Sequence, residues 1–160
     1  MAKLKDVMAY LIKNYPENIR HEMSNARLTK MIYLADWHKA LTSNEQMTSI
    51  DWYFDNYGPF VHDVERVAAS YGGIFSVNLG SNMHGQPKKS ITLRDNARAL
   101  KLTEEERISL DHIIDVTKRL YWDDFIKLVY ATHPIASSER YSFLNLVEKA
   151  DEYRKFKEVD

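Results

Sequence analysis

The segment that most constrains the fold is a stretch of ten residues with apolar side chains on nearly every side of a helix, Leu28-Thr29-Lys30-Met31-Ile32-Tyr33-Leu34-Ala35-Asp36-Trp37. A helix of this kind is usually central and packed on several sides, whereas a surface helix carries one apolar stripe. We predict a helix from about Asn25 to Leu41, with Ser24 or Asn25 as its N-cap. The other elements are expected to pack around it.

The rest of the chain contains mainly helical patterns, in which apolar residues recur at spacings of three and four. These patterns predict five further helices: from Lys3 to about Tyr15, from Pro59 to Gly72-Gly73, after the capping box Thr103-Glu104-Glu105-Glu106, from about Trp122 to Thr132, and from about Phe143 to Phe156. The capping box satisfies N–H groups at a helix start. Pro59 suits a first helical turn because no N–H is needed there.

One region has a period of two instead. Apolar and polar residues alternate over Phe75–Leu79 and again over Lys89–Leu93, on either side of the Gly80–Pro87 loop. This alternation predicts an antiparallel β-hairpin. No repeat or linker divides the chain, and 160 residues is the usual size of one domain. The predicted fold class is α+β, mainly α: a single compact helical domain over residues 1–160, with one antiparallel β-hairpin.

Charge and composition narrow the classes of function. The chain has 22 basic and 23 acidic residues, so it lacks the basic excess of a dedicated nucleic-acid binder. It has no cysteine, which removes disulfides and thiolate chemistry. No apolar stretch has the length of a signal peptide core or a membrane span. We therefore predict a soluble, cytoplasmic protein that has no membrane partner and does not favour nucleic acid.

Sequence motifs of catalysis are absent. The chain has no H-E-x-x-H, P-loop, dinucleotide or G-x-S-x-G motif. Local spacing is the usual signal of a metal site, and among the six histidines no two lie within one helical turn. A site assembled from Asp36, His38, His62 and Asp63 is the remaining metal-dependent alternative. We predict no catalytic residue, no metal and no cofactor.

Aromatic residues are dense around one break in the chain. Five of them fall within nine positions next to Gly58-Pro59, with Trp37 upstream: Trp52, Tyr53, Phe54, Tyr57 and Phe60. In one interpretation these rings fill the core where three elements meet. In the other, some are exposed anchors for a protein partner, because aromatic residues dominate interface hot spots. We favour core packing for most of them, since burial of large rings is a common source of stability.

Three segments together resemble a known family. They are Arg27-Leu28-Thr29-Lys30-Met31-Ile32-Tyr33-Leu34-Ala35-Asp36, then Asp51-Trp52-Tyr53-Phe54-Asp55-Asn56-Tyr57-Gly58-Pro59-Phe60-Val61, and the helix and hairpin that follow. This order resembles the Panacea domain, also called the SocA-like antitoxin domain. Met31 stands where leucine is common in that family.

The resemblance implies a non-enzymatic antitoxin. Family members are encoded beside small toxins in bacteria and phages, often toxins that block translation, and they neutralise these toxins by direct binding. One branch is similar to a proteolytic adaptor that delivers its toxin to a protease. A DNA-binding regulator and a metal-dependent hydrolase stay open as competing classes of function. The candidate partner-binding residues are Trp37, Trp52, Tyr57, Phe60 and, in the Gly80–Pro87 loop, Met83; Asp36, Gly58 and Pro59 form a structural motif.

Overall fold

The computed structural model describes residues 1–17, 23–82, 84–94 and 98–158. The helices within these ranges are α1 (Leu4–Asn14), α2 (Asn25–Ser43), α3 (Asp63–Ser70), α4 (Glu104–Thr117), α5 (Trp122–Tyr130), α6 (His133–Ala136) and α7 (Leu146–Glu158). The strands are β1 (Trp52–Asp55), β2 (Gly58–Phe60), β3 (Phe75–Ser81), β4 (Pro87–Leu93) and β5 (Ser142–Leu144). In the described ranges, no helix combines the length and the apolar character needed to cross a membrane.

The centre of the fold is α2, as its apolar surface predicts. Most of its side chains are buried, and it contacts α1, α3, α4 and α7 as well as strands of both sheets. Its start is fixed by Ser24, whose Oγ accepts a hydrogen bond of 3.1 Å from the backbone N–H of Arg27. It ends at Asn44, which adopts a left-handed conformation with φ of 59°. Such a residue lets the chain turn away from a helix end.

The predicted β-hairpin is confirmed. Strands β3 and β4 pair antiparallel, from Phe75 opposite Leu93 to Ser81 opposite Pro87. The pairing extends beyond the predicted strands, so the Gly80–Pro87 loop is shorter than expected. Only residues 82–86 connect the strands, and within them the Oδ1 of Asn82 accepts hydrogen bonds from the backbone N–H groups of His84 and Gln86. Met83 lies outside the described residues.

A second sheet was missed by the sequence patterns. Strands β1, β2 and β5 form an antiparallel sheet in the order β2-β1-β5. The prediction that Pro59 begins a helix is wrong: Pro59 lies in β2, opposite Phe54, and α3 begins only at Asp63. Gly58, with φ of +100°, permits the tight turn from β1 into β2. The fold class, mainly α with an antiparallel hairpin, is confirmed with this sheet added.

Two other predicted helix boundaries differ from those in the structure. The last helix starts at Leu146 rather than near Phe143, because Phe143 pairs with Tyr53 in the sheet and the Oδ1 of Asn145 accepts a hydrogen bond of 3.1 Å from Glu148 N–H. The helix that ends before His133 is followed at once by the short α6, which has Pro134 in its first turn. The capping box of Thr103 and Glu106 is present as predicted.

Candidate protein-interaction site

A buried carboxylate fixes the segment that leads into β1. Asp36, on α2, is fully buried. Its Oδ1 accepts a hydrogen bond of 2.8 Å from Thr48 N–H. Its Oδ2 accepts hydrogen bonds from Thr48 Oγ1 at 2.6 Å and from the indole N–H of Trp52 at 2.8 Å. Gln46 Nε2 donates a longer hydrogen bond of 3.4 Å to the same Oδ2. Donors from three positions along the chain therefore tie the residues before β1, and β1 itself, to the central helix.

The ionisation of Asp36 reflects two opposing effects. Burial raises its pKa to about 6, because the charged form loses its hydration. The hydrogen bonds from Thr48 and Trp52 lower the pKa and only partly offset the burial. The hydrogen bonds stabilise the ionised carboxylate less than its lost hydration did, so the pKa stays above its ordinary value. The oxygens of Asp36 are thus occupied by hydrogen bonds that hold the segment before β1, and the side chain has no contact with solvent.

Both candidate tryptophans pack inward. Trp52 is fully buried, and its ring meets the ring of Tyr33 edge to face at 5.5 Å between centroids. Trp37 is 7% exposed and packs against the ring of Tyr153 at 6.0 Å. In this conformation neither ring is presented to a partner. Trp52 lies on the core side of the sheet, and Trp37 packs α2 against α7, so both of these rings pack inside the fold.

The other face of the small sheet carries a row of aromatic rings, of which Phe143 is exposed while Tyr53 and Phe60 are half-buried. Tyr53 in β1 lies directly opposite Phe60 in β2 and Phe143 in β5, and residues opposite one another in an antiparallel pair share a face. The rings of Tyr53 and Phe143 are stacked at 5.1 Å, with an angle of 24° between their planes. Phe143 is 76% exposed. We call Tyr53, Phe60 and Phe143 the aromatic sheet face.

Two more rings border this sheet at the β1–β2 turn. Tyr57, within the turn, is 80% exposed, and Tyr141, just before β5, is 64% exposed. Tyr141 has φ of 69°, which is unusual for a residue with a side chain. It is held there because its N–H donates a hydrogen bond of 2.6 Å to the Phe54 carbonyl and its hydroxyl donates to Asn56 Oδ1. We call Tyr57 and Tyr141 the turn rim.

The residues of the alternative metal site are not brought together as ligands. Asp36 is occupied by Thr48 and Trp52, while His38 Nδ1 lies 2.7 Å from the hydroxyl of Ser109. The ring of His62 packs against Phe60 at 5.2 Å. Across the described residues, no group of three or more histidines or acidic side chains is placed to hold a metal ion.

Sequence patterns overlooked Tyr141 and Phe143 as surface residues. The helical pattern predicts a helix that begins at about Phe143, and it singles out neither residue. The signal that could have found them is the alternation of aromatic and polar residues in Tyr141-Ser142-Phe143, which has the period of a strand. Three residues are too few for this signal to compete with the long helical pattern that follows. Of the proposed partner-binding residues, Tyr57 is exposed and Phe60 is half-buried.

Comparison with known proteins identifies the family. The sequence model of the antitoxin SocA-like, Panacea domain family matches residues 28–134. The matched span includes nearly all of α2, strands β1 to β4 and helices α3 to α5. No curated protein and no solved structure matches the chain. Because the matched span is more than half of the 160 residues, the chain belongs to the antitoxin SocA-like, Panacea domain family.

Proposed function

We propose that this chain is an antitoxin that neutralises a protein toxin by binding it directly, and that the toxin blocks translation. Family membership is the observation that carries the antitoxin role. Action by binding is supported by the site itself. Its buried carboxylate, Asp36, is occupied by structural hydrogen bonds, and its surface includes the exposed rings of Tyr57, Tyr141 and Phe143.

The aromatic sheet face and the turn rim form the proposed toxin-binding surface. Aromatic residues are enriched among interface hot spots, where a few anchors contribute most of the binding energy. Phe143 is fixed by stacking on Tyr53, so little side-chain freedom is lost when a partner covers it. Tyr57 and Phe60 remain anchors in this proposal, and Phe143 and Tyr141 join them. Trp52 takes a supporting role beneath the surface, Trp37 packs against α7 and is no anchor, and Met83 remains a candidate second contact.

The proposal is tested by titration in a cell-free translation reaction. The toxin used is the product of the gene that adjoins the gene of this chain, purified separately. Purified antitoxin is added at increasing ratios and protein synthesis is measured. We expect full rescue near one antitoxin per toxin, together with a stable complex in size-exclusion chromatography. Full rescue far below this ratio would mean turnover of the toxin and would overturn the binding mechanism.

A matched pair of variants locates the surface. Tyr57 and Tyr121 are both exposed tyrosines, at 80% and 77%, and Tyr121 lies just before α5, outside the strands of the small sheet. We expect Tyr57→Ala to weaken the complex by about tenfold to a hundredfold, the range for a moderate hot spot. Tyr121→Ala is expected to bind like the wild type. Equal affinity of all three proteins would remove the turn rim from the interface.

Two further assays separate neutralisation by binding from the competing mechanisms. An adaptor would lower the amount of toxin only when a protease is present, which immunoblotting of the toxin detects. A DNA-binding regulator would shift its own promoter DNA in a salt-dependent manner. A titratable one-to-one rescue, without loss of toxin and without a DNA shift, is the outcome expected for neutralisation by binding.

A further inference from the structure

Lys30 is a buried cation beside the proposed toxin-binding surface, and it lacks an anionic partner. The residue is 2% exposed. No described residue accepts a hydrogen bond from its Nζ or lies close enough for an ion pair. Its Nζ lies over the face of the Phe60 ring, 5.8 Å from the ring centroid, which is a cation–π contact. Lysines this deeply buried are nearly always paired. The Nζ of Lys30 is not one of the described side-chain atoms that are both enclosed and without a hydrogen-bond partner, so the ammonium keeps a small opening to solvent through which a partner group can reach it.

The charged groups around Lys30 leave its ammonium poorly neutralised. Burial lowers the pKa of Lys30 to about 8, and the negative charge of Asp55 in β1 acts in the opposite direction. On α5 the ring of Tyr130 borders the same space as the Lys30 side chain, and Arg27, the preceding cation on α2, donates to the carbonyl of Thr117 at the end of α4. His62 packs edge-on against Phe60. None of these groups supplies a carboxylate in contact with Nζ.

The end of the Lys30 methylene chain lies next to Gly58, at the base of the β1–β2 turn. A Cβ placed on Gly58 would be 3.4 Å from a ring carbon of Tyr130 and 3.7 Å from Cε of Lys30. Gly58 therefore leaves open a small space that both side chains border. Tyr57, the preceding residue, is among the most exposed rings of the described residues. The end of the Lys30 side chain and the exposed turn rim are thus separated by little more than the backbone of the turn.

A second cation reinforces the positive character of this turn. The guanidinium of Arg140 lies 5.6 Å from the centroid of the Phe54 ring, and its Nε donates a hydrogen bond of 3.3 Å to the carbonyl of Asn56. Within the described ranges, no carboxylate forms an ion pair with Arg140. Lys30 and Arg140 therefore place two cations at this turn, and among its acidic groups only the charge of Asp55 acts on Lys30, so the turn is complementary to an acidic group.

We propose that Lys30 receives a carboxylate group of the bound toxin at the β1–β2 turn. This inference rests on the proposed function. A protein carboxylate fits better than a free anion, because the cations lie among exposed rings whose burial needs a macromolecular partner. The flexible four-carbon stem allows the ammonium to move toward the carboxylate past Phe60, which is half-buried. Phe60 and Tyr57 then exclude water from the new ion pair, which strengthens it.

The primary test is Lys30→Met, which keeps an unbranched apolar stem and removes the charge. Its matched control is Lys101→Met, at an exposed lysine in the segment before α4. Affinity for the adjoining-gene toxin is measured by calorimetry, and stability by urea unfolding. We expect Lys30→Met to bind about tenfold to a hundredfold more weakly, the range for a hydrogen bond to a charged group. Because an unpaired buried charge is removed, we expect its unfolding midpoint to equal or exceed that of the wild type.

The combination of outcomes separates this role from a structural one. A structural lysine would lower both stability and affinity when removed, whereas an ion-pairing lysine lowers affinity alone. Affinity within threefold of the wild type, with a folded Lys30→Met protein, would overturn the proposal. A wild-type protein that binds no toxin would instead refute the proposed function. Lys101→Met is expected to match the wild type in both measurements.

A second measurement needs no variant. Between pH 7 and pH 9 the free protein loses the Lys30 proton, while a seated carboxylate holds it in the complex. Binding then requires proton uptake, and the dissociation constant is expected to rise about tenfold over this range. Calorimetry in buffers of different ionisation enthalpy reports the proton directly. Equal affinity at pH 7 and pH 9, without proton uptake at pH 9, would overturn the proposal even if Lys30→Met failed to fold.

Discussion

The indole N–H of Trp52 donates a hydrogen bond of 2.8 Å to the Oδ2 of Asp36, a residue sixteen positions earlier in the chain. Both side chains are fully buried. A buried indole N–H without an acceptor would cost about 1–3 kcal/mol, and a buried carboxylate without donors would cost more. Each residue therefore satisfies the other, and the pair connects α2 to β1 below the aromatic sheet face.

Replacement of Asp36 by asparagine should destabilise the fold and change its pH dependence. The amide nitrogen cannot accept the indole N–H, so Asp36→Asn is expected to cost about 1–3 kcal/mol near pH 4. In the wild type the folded pKa, about 6, exceeds the ordinary value of 3.8. The stabilisation from the proton on Asp36 is thus complete below about pH 4 and is lost as pH rises through 6, by at most about 3 kcal/mol.

The measurement is the difference in unfolding free energy between the wild type and Asp36→Asn at pH 4, 5, 6 and 7. The shared contributions of the other acidic groups cancel in this difference. The cost of the substitution should shrink as pH rises through this window. A cost that is constant with pH, or that grows, would show that the folded pKa of Asp36 is not raised.

Trp52→Ala should be among the most destabilising single substitutions. Removal of a fully buried tryptophan typically costs about 3–5 kcal/mol, and the unpaired Asp36 Oδ2 adds to the effect. Trp122→Ala is the matched control, because Trp122 is 44% exposed and should cost less than about 1 kcal/mol. Urea unfolding of both variants gives the ranking. A Trp52→Ala protein as stable as the wild type would place the ring on the surface in solution.

Much of the helical architecture could be predicted from the sequence, for physical reasons. The burial of α2 follows from apolar residues on every side, and the start of α4 follows from the capping box of Thr103 and Glu106, which acts locally. The β3–β4 hairpin was also predicted, because its alternation continues over several residues in both strands. In each case the determining interactions lie within one segment or between neighbouring segments.

The small sheet could not be predicted in the same way. β5 pairs with β1 across about ninety residues of sequence, and its three residues carry too little pattern to indicate a strand. Pro59 suggested a helix start because proline suits that position, yet it equally suits a short edge strand with no N–H to pair. The aromatic sheet face depends on this long-range pairing. Local patterns therefore indicated which region holds the site and did not identify Phe143.

Gly58→Ala should destabilise the β1–β2 turn. With φ of +100° at this position, any side chain is strained, and the new Cβ would lie 3.4 Å from the ring of Tyr130. We expect a cost of about 1–3 kcal/mol. Gly80→Ala is the control, since Gly80 has open space around its Cβ position and an ordinary φ. Thermal unfolding should separate the two variants, and equal melting temperatures would contradict the turn geometry.

Arg27→Met should remove a connection between α2 and the end of α4. The Nη2 of Arg27 donates hydrogen bonds to the carbonyls of Thr117 and Leu120, at 3.0 and 2.9 Å, and its guanidinium lies 4.4 Å from the centroid of the Phe125 ring. Carbonyls at a helix end carry partial negative charge and stabilise a cation. In Arg27→Met these two carbonyls lose their charged hydrogen-bond donor. We expect this loss to lower the free energy of unfolding by about 2–4 kcal/mol.

Arg66→Met is the control for this substitution, because Arg66 is an exposed arginine on α3. Urea unfolding should leave the Arg66 variant within about 0.5 kcal/mol of the wild type. Hydrogen exchange adds a local readout: the last turn of α4 should exchange faster in Arg27→Met. If the Arg27 and Arg66 variants were equally stable, the buried guanidinium would contribute nothing to the packing of α4 on α2.

Phe143→Ala should weaken toxin binding without destabilising the antitoxin. The ring is 76% exposed and stacks on Tyr53 only along one side, so its removal is expected to change the free energy of unfolding by less than about 1 kcal/mol. As an exposed anchor held against Tyr53 in the proposed interface, it should contribute at least about 2 kcal/mol to binding, which corresponds to roughly a thirtyfold change in the dissociation constant.

Phe156→Ala is the matched control for Phe143→Ala, since Phe156 is a 63% exposed phenylalanine on α7. Dissociation constants for the adjoining-gene toxin and urea unfolding curves are measured for both variants and for the wild type. Loss of affinity in Phe143→Ala alone, with all three proteins equally stable, is the expected result. If Phe156→Ala lost affinity and Phe143→Ala did not, the charged helix α7 would be the toxin-binding surface, and the aromatic sheet face would have to be abandoned as the site.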